Sequence, residues 1–312
     1  MQLVDLPSRD PGPDEVRVRH HAIGVNFIDV YHRTGLYPQP LPAVLGMEAA
    51  GVVEAVGASV THVAVGDRVG YAARTPGSYA EVRTLDATPV VKLPDSIDFA
   101  RAAAMMLKGL TAQYLLRRTL PQGGLNTGDA ILWHAAAGGV GLIACQWARA
   151  LGLVVIGTAG SPEKCALARA HGAAHTIDYT KEDVVARVKE LTGGRGVKVV
   201  YDSVGKDTWD RSLDCLAPLG LMVSFGNASG PPPLVNLLSL MQHGSLHVTR
   251  PTLNTHTSTV AVTHQMASEL FDMVTSGTVK IEVAQSYPLA EAAQAHRDLE
   301  ARKTTGSTIL RV

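Results

Sequence analysis

Cysteine is scarce in this sequence, with only Cys145, Cys165 and Cys215 among 312 residues. Three thiols, odd in number and far apart, exclude a disulfide scaffold and a four-thiolate structural metal site. They read as reduced core thiols of a cytoplasmic protein. Net charge is also lacking: Lys+Arg 28 balances Asp+Glu 28. No global field would recruit nucleic acid or an anionic membrane, so a small neutral or weakly polar partner is expected instead. Aromatic residues make up 5% of the chain and form no basic, aromatic-interleaved stripe, which counts against dedicated RNA binding. No signal peptide opens the chain, and no apolar run approaches the roughly 18 residues that a membrane span requires. Internal repeats and low-complexity segments are absent as well.

What is present is a soluble globular composition, 46% hydrophobic and 18% charged, long enough for two domains. The most informative stretch is AILWHAAAGGVGLIACQWARALG, residues 130–152. A buried strand at Ile131 to Trp133 breaks into a glycine-rich turn that opens an amphipathic helix, and a second apolar strand follows at Leu153 to Thr158. Ala136, Gly138 and Gly141 take the three slots of the G-x-G-x-x-G spacing, with Gly139 and Val140 between them. The middle slot lets backbone N–H groups approach a pyrophosphate at the positive end of the helix, and the third lets helix and strand pack closely. Alanine in the first slot weakens the motif, but the strand–turn–helix setting supports it.

Residues 14–112 are rich in short β runs and turns, as a small antiparallel barrel would be. From 129 to 251, apolar runs at 130–134, 153–158, 197–202, 221–226 and 246–250 alternate with helical segments, implying a parallel, doubly wound sheet. Ser161 is expected to cap a helix with Pro162 at its first position, and Thr180 to cap another with Glu182 and Asp183 in its first turn. The tail predicts a helix over 266–275, a strand near 280–283, a helix over 290–302 and a terminal strand. A split first domain, residues 1–115 and 253–312, around a nucleotide domain at 116–252 is the economical topology.

HAIGVNFIDVYHRTGLYP (21–38), GMEAAGVVEAVG (46–57), VGDRVGY (65–71), MLKGLTAQYLL (106–116), HAAAGGVGLIACQWA (134–148), YDSVG (201–205), FGNASG (225–230) and LEARKTTGS (299–307) resemble the zeta-crystallin-like quinone oxidoreductases of the medium-chain dehydrogenase/reductase superfamily. The resemblance runs in order along nearly the whole chain. It implies an α/β protein with a GroES-like β-rich catalytic domain and a Rossmann domain, NADPH as cofactor, and a homodimer built through the cofactor domains. The family begins with roughly fifteen more residues that supply a first strand, so either the start site is misassigned or the barrel lacks an edge strand.

The superfamily also contains zinc alcohol dehydrogenases, whose Gly-His-Glu motif corresponds here to Gly46-Met47-Glu48, and which use a cysteine near Asn26. Methionine offers zinc no imidazole or hard donor, so a metal-free enzyme is expected. Glu48 and Asp29 read as structural carboxylates, and His20 and His21 as surface or packing residues. An NAD-specific pocket commonly carries Asp or Glu after the second strand. Here Ala159-Gly160-Ser161 leaves room for a 2′-phosphate. Lys164 reads either as a cation for that phosphate or as a solvated lysine; the resemblance favours the phosphate, gripped by Lys164, Tyr179 and Arg302, with Glu163 as a carboxylate that would tolerate some NADH. Ser203, Gly205, Phe225 and Asn227 are candidate contacts at the nicotinamide end.

Without a metal, developing oxyanion charge must be met by hydrogen-bond donors. The resemblance points to Asn26, Tyr31 and Tyr37, which would otherwise pack the barrel or hold a turn. The expected reaction is NADPH-dependent quinone reduction by hydride transfer in a dry cleft. The alternatives are an NADPH-dependent reductase of α,β-unsaturated carbonyls and a non-catalytic NADPH-binding protein of the crystallin or RNA-binding kind.

Overall fold

The computed structural model describes residues 1–312. The first strands are Glu15–Val25 (β1), Glu48–Val56 (β2), Arg68–Ala72 (β3), Val82–Asp86 (β4) and Val90–Lys92 (β5). There follow Ala130–Trp133 (β6), Val154–Ala159 (β7), His175–Asp178 (β8), Val197–Asp202 (β9), Leu216–Ser224 (β10) and His247–Thr249 (β11). Val283–Pro288 (β12) and Ser307–Arg311 (β13) complete the set.

Contacts divide the chain into two units, Met1–Thr111 with His256–Val312, and Ala112–Thr255. The first boundary falls inside the uninterrupted helix Phe99–Arg117, where no turn residue marks it.

The first unit holds a seven-stranded sheet in the order β12-β13-β1-β2-β3-β5, with β4 also paired to β1. The tail returns to this unit because β13 pairs antiparallel with β1, Ala22 opposite Arg311 through Val25 opposite Thr308. Val16, Val18 and Ile23 of β1, Val53, Val69, Tyr71 and Leu310 form its apolar core. Register shifts interrupt β1 against β2 near His20. His20 is buried between the Ala80 carbonyl at 2.7 Å and the Tyr71 hydroxyl at 2.8 Å, and burial pushes its imidazole down to about 4. His21 stacks on Phe99 at 4.4 Å between ring centroids. His20 is thus a packing residue, and His21 an exposed one stacked on an aromatic ring.

The second unit is a six-stranded parallel sheet in the order β11-β10-β9-β6-β7-β8. That is a Rossmann order, whose reversal point lies between β6 and β9. Runs such as VKVVYD in β9 are nearly continuous and apolar because both faces of a parallel sheet are covered.

The expectations differ from the structure in four places, one being the tail helix, which runs Val260–Thr275 and so starts six residues before 266. β8 was not anticipated: its four residues, HTID, are too short and polar to stand out. The helix expected to start at Thr180 starts at Val184, capped by the Asp183 carboxylate on Ala186 N–H at 2.9 Å. Thr180 instead donates its hydroxyl to Asp178 at 2.6 Å, closing the turn after β8. The strand expected near 280–283 is β12, displaced toward the C-terminus.

All three cysteines are unbonded and buried, and burial raises the Cys145 and Cys215 thiols to about 12. No helix is long and apolar enough to cross a membrane.

Candidate active site

After β6 the chain turns at Ala135, which holds a left-handed φ of 53°. The turn closes by Gly138 N–H to the Ala135 carbonyl at 2.9 Å, and Ala136 N–H donates to the Thr158 carbonyl at 3.0 Å. A Cβ added at Gly157 would lie 2.7 Å from the Ala136 Cβ. Glycine on the neighbouring strand thus makes room for alanine in the first slot of the motif. At Gly141 a Cβ would meet the Ala135 and Ala136 carbonyl oxygens at 2.6 Å each, so helix and turn backbone are in direct contact.

Gly138 differs. Its φ and ψ of −81° and 171° suit any residue, and an added Cβ would meet only the Ala135 oxygen, at 3.2 Å. It caps the helix Gly139–Ala150 with no side chain. No side chain caps the first N–H groups at the positive helix end, and Gly139 and Val140 there are only half-buried, a donor set that fits a dinucleotide pyrophosphate.

The residues predicted for the 2′-phosphate end lie after β7. A Cβ at Gly160 would sit 2.5 Å from the Tyr179 hydroxyl, so these two predicted residues are brought together. Ser161 caps the helix Pro162–Ala170 by accepting Lys164 N–H at 3.2 Å, which places half-buried Lys164 one turn in. Glu163 is exposed, and its carboxylate is held below the usual range by its own N–H and the Ser161 hydroxyl. Arg302 belongs to the first unit, just beyond the helix Ala292–Glu300, with a left-handed φ of 59°.

Beyond β9 and β10 two loops interlock. Asp202 Oδ1 accepts Val204 N–H at 2.7 Å and Gly205 N–H at 3.0 Å, fixing the Ser203–Gly205 turn. Ala228 N–H donates to the Ser203 carbonyl, and a Cβ at Gly226 would lie 2.4 Å from that same oxygen. Phe225 packs 5.7 Å from Trp133, and Asn227 is buried. Beneath them runs a network that sequence reasoning missed. His134 bridges the Thr158 hydroxyl at 2.9 Å and the Ser212 hydroxyl at 3.0 Å, and Ser212 donates to Asp202 Oδ2 at 2.9 Å. Burial pushes the His134 imidazole down, against the pull of Asp202, so it bridges as a neutral ring. The partners lie up to 78 residues apart, and no local spacing signals them.

In the first unit Asn26 precedes the helix Phe27–Thr34. Asp29 reaches back to accept Asn26 N–H at 2.9 Å and also accepts the Tyr79 hydroxyl at 3.0 Å. Burial pushes its carboxyl up to about 7, with those two hydrogen bonds and Lys108 pulling it back. Asp29 thus has the structural role expected of it. Tyr37 N–H donates to the Tyr31 carbonyl at 3.1 Å, and the two rings meet edge to face at 5.2 Å. Tyr31 is buried and Tyr37 half-buried, so the segment forms one wall.

The Asn26 amide donates to Glu48 Oε2 at 2.9 Å, and the same oxygen accepts the Lys108 ammonium at 2.9 Å. Lys108 was not anticipated, although a lone cation inside the apolar run MLKGLTAQYLL was a usable signal. Met47 is buried, and Glu48 is fully engaged by Asn26, Lys108 and Leu107 N–H. No three His, Cys, Asp or Glu side chains cluster as metal ligands. These residues do not fit a zinc ion.

The alcohol dehydrogenase GroES-like domain family matches residues 12–95, and the zinc-binding dehydrogenase family matches residues 139–273. A quinone oxidoreductase of Pseudomonas aeruginosa is 60% identical over 99% of this chain and 95% of its own. The crystal structure of Escherichia coli quinone oxidoreductase complexed with NADPH superposes with a TM-score of 0.97 at 51% identity, covering 100% of this chain and 95% of that one. A 2-haloacrylate reductase of Burkholderia sp is 46% identical over 96% of this chain and 91% of its own. With its Rossmann strand order, its open dinucleotide turn and this likeness along its whole length, the chain belongs to the quinone oxidoreductases of the medium-chain dehydrogenase/reductase superfamily.

Proposed function

We propose that this protein reduces quinones with NADPH by hydride transfer, without a metal. The observation that carries the reading is the uncapped N-terminus of the helix Gly139–Ala150, whose backbone donors would hold the pyrophosphate. When bound, NADPH supplies a hydride, and the quinone takes up one further proton to become the hydroquinone. Gly160, Ser161, Lys164, Tyr179 and Arg302 would hold the 2′-phosphate end. Ser203, Gly205, Phe225 and Asn227 would orient the nicotinamide. Asn26, Tyr31 and Tyr37 would bind the acceptor and donate hydrogen bonds to the oxygen on which charge develops. A quinone suits neutral donors because its product is aromatic. Reduction of an α,β-unsaturated carbonyl is the second reading, favoured by the likeness to the 2-haloacrylate reductase. Loss of reduced-nicotinamide absorbance with NADPH, then NADH, against a panel of quinones and enones tests both; no oxidation by any acceptor would leave a cofactor-binding protein.

Lys164→Ala is expected to raise the NADPH dissociation constant about tenfold and to leave NADH nearly unchanged, since a charge-assisted hydrogen bond contributes about 1.5–3 kcal/mol. Fluorescence titration with both cofactors checks this, and equal weakening would point to a folding defect.

A cytoplasmic homodimer through the cofactor unit is part of the same reading. β11 is an edge strand paired only with β10; Val248 on it is exposed, as are Leu234, Leu237, Leu238 and Met241 in the segment just before it. The helix Leu237–Gln242 buries none of its residues. An apolar patch along an open strand edge is a pairing surface, and a second copy of this chain would cover it. Light scattering after gel filtration is expected to give a dimer for the wild type and a monomer for Leu237→Asp/Val248→Lys; a wild-type monomer would refute the assignment.

A further inference from the structure

We propose that the buried Glu48–Lys108 ion pair is a positioning device for Asn26, holding its side-chain amide so that an N–H, and not the carbonyl, faces the acceptor oxygen. The inference rests on the reading that Asn26 contacts the acceptor.

Three donors converge on one carboxylate. Asn26 Nδ2 and Lys108 Nζ each lie 2.9 Å from Glu48 Oε2, and Leu107 N–H lies 2.7 Å from Oε1. Leu107 sits in the middle of the helix Phe99–Arg117, where an N–H ordinarily serves the helix ladder. Glu48 is 0% exposed, Lys108 5% and Asn26 8%. Gly24 stands opposite Glu48 in the β1–β2 register, and a Cβ there would fall 2.1 Å from Oε2. The strand therefore leaves a space that this carboxylate occupies.

Packing alone does not require such a group. Burying an ion pair costs desolvation that apolar side chains of similar volume avoid, so the pair is a poor way to fill a core. What it imposes is direction. The two ends of an Asn amide are nearly isosteric, but an ionised carboxylate only accepts. Facing Glu48, Asn26 must turn its nitrogen inward, and the chemistry fixes the assignment whatever the electron count of the two ends. The NH2 group carries two hydrogens; one goes to Glu48 and the other remains for a quinone oxygen, itself an acceptor only. Lys108 donates to the same Glu48 oxygen, so that oxygen meets Asn26 as an acceptor; a donor at that place could pair with the amide carbonyl and permit the reverse orientation. A glutamine at position 48 would permit it equally.

The test is a double-mutant cycle on Asn26→Ala and Glu48→Gln, reading turnover of 1,4-benzoquinone, NADPH affinity and melting temperature. Each single change is expected to lower kcat about ten- to a hundredfold, within the range for one lost oxyanion donor, with NADPH affinity within about twofold of wild type. The double variant is expected to be no slower than Asn26→Ala, because the two act through one hydrogen bond. Glu48→Gln/Lys108→Met, which replaces the pair with neutral groups, is expected to recover melting temperature without recovering turnover. If Glu48→Gln alone does not fold, that neutral pair enters the cycle as a single change. Multiplicative losses in the cycle, or turnover returning together with stability, would overturn the inference. Full turnover in Asn26→Ala would instead overturn the assignment of Asn26 to the acceptor.

Discussion

Gly141→Ala is expected to destabilise the second unit by about 3 kcal/mol or more and to abolish NADPH binding, while Gly138→Ala loses NADPH affinity with its melting temperature nearly unchanged. The added methyl at 141 meets two carbonyl oxygens of the turn at 2.6 Å, and these are backbone atoms that cannot swing aside. Relief would require the helix Gly139–Ala150 to move away from β6, opening the apolar layer between them. A loss of that size is a large share of the roughly 5–15 kcal/mol that holds a typical domain folded. At Gly138 the only close atom is one oxygen at 3.2 Å and the backbone conformation is unrestricted. A methyl there disturbs the protein little, but it projects where a pyrophosphate must approach the helix N-terminus. Differential scanning calorimetry and NADPH titration of both variants separate the two roles. Equal stability loss in both would mean that Gly138 is kept for packing, and an unperturbed Gly141→Ala would refute the close approach.

Tyr37→Phe and Asn26→Ala are each expected to lower quinone turnover by up to a few kcal/mol of barrier while NADPH affinity stays near wild type. Neither Asn26 nor Tyr37 is among the residues proposed to hold NADPH. Asn26 is held by Glu48 at 2.9 Å, and Tyr37 is braced by its N–H on the Tyr31 carbonyl and by the edge-to-face ring contact. Preorganised donors of this kind need little reorganisation when charge develops, which is the origin of their effect on kcat. Small, easily reduced quinones are expected to show smaller losses than weak acceptors, because less stabilisation is needed to reach their transition state. Steady-state kinetics beside cofactor titration check this, and unchanged turnover in both variants would reduce the wall to barrel packing.

Local chemistry accounts for what could be read before folding. The dinucleotide turn was legible because its strand, glycines and helix occupy adjacent residues, as was the Ser161–Pro162 helix start. The absence of zinc ligands at Met47 and Asn26 was likewise a matter of residue type. β8 was missed because a four-residue edge strand, HTID, carries little pattern of its own, and the Thr180 cap because Asp178 competes for that hydroxyl.

By itself the sequence determined the fold class, the family and the glycine-rich turn after β6, since each rests on short motifs whose own residues lie near one another along the chain. Tertiary structure alone decided that Gly157 makes room for Ala136, that His134, Ser212 and Asp202 support the loops after β9 and β10, and that Glu48 and Lys108 hold Asn26. These are contacts between residues from 10 to 78 positions apart. They exist only after strand pairing and helix packing have closed the intervening loops, and no periodicity in the chain encodes which side chains will then meet.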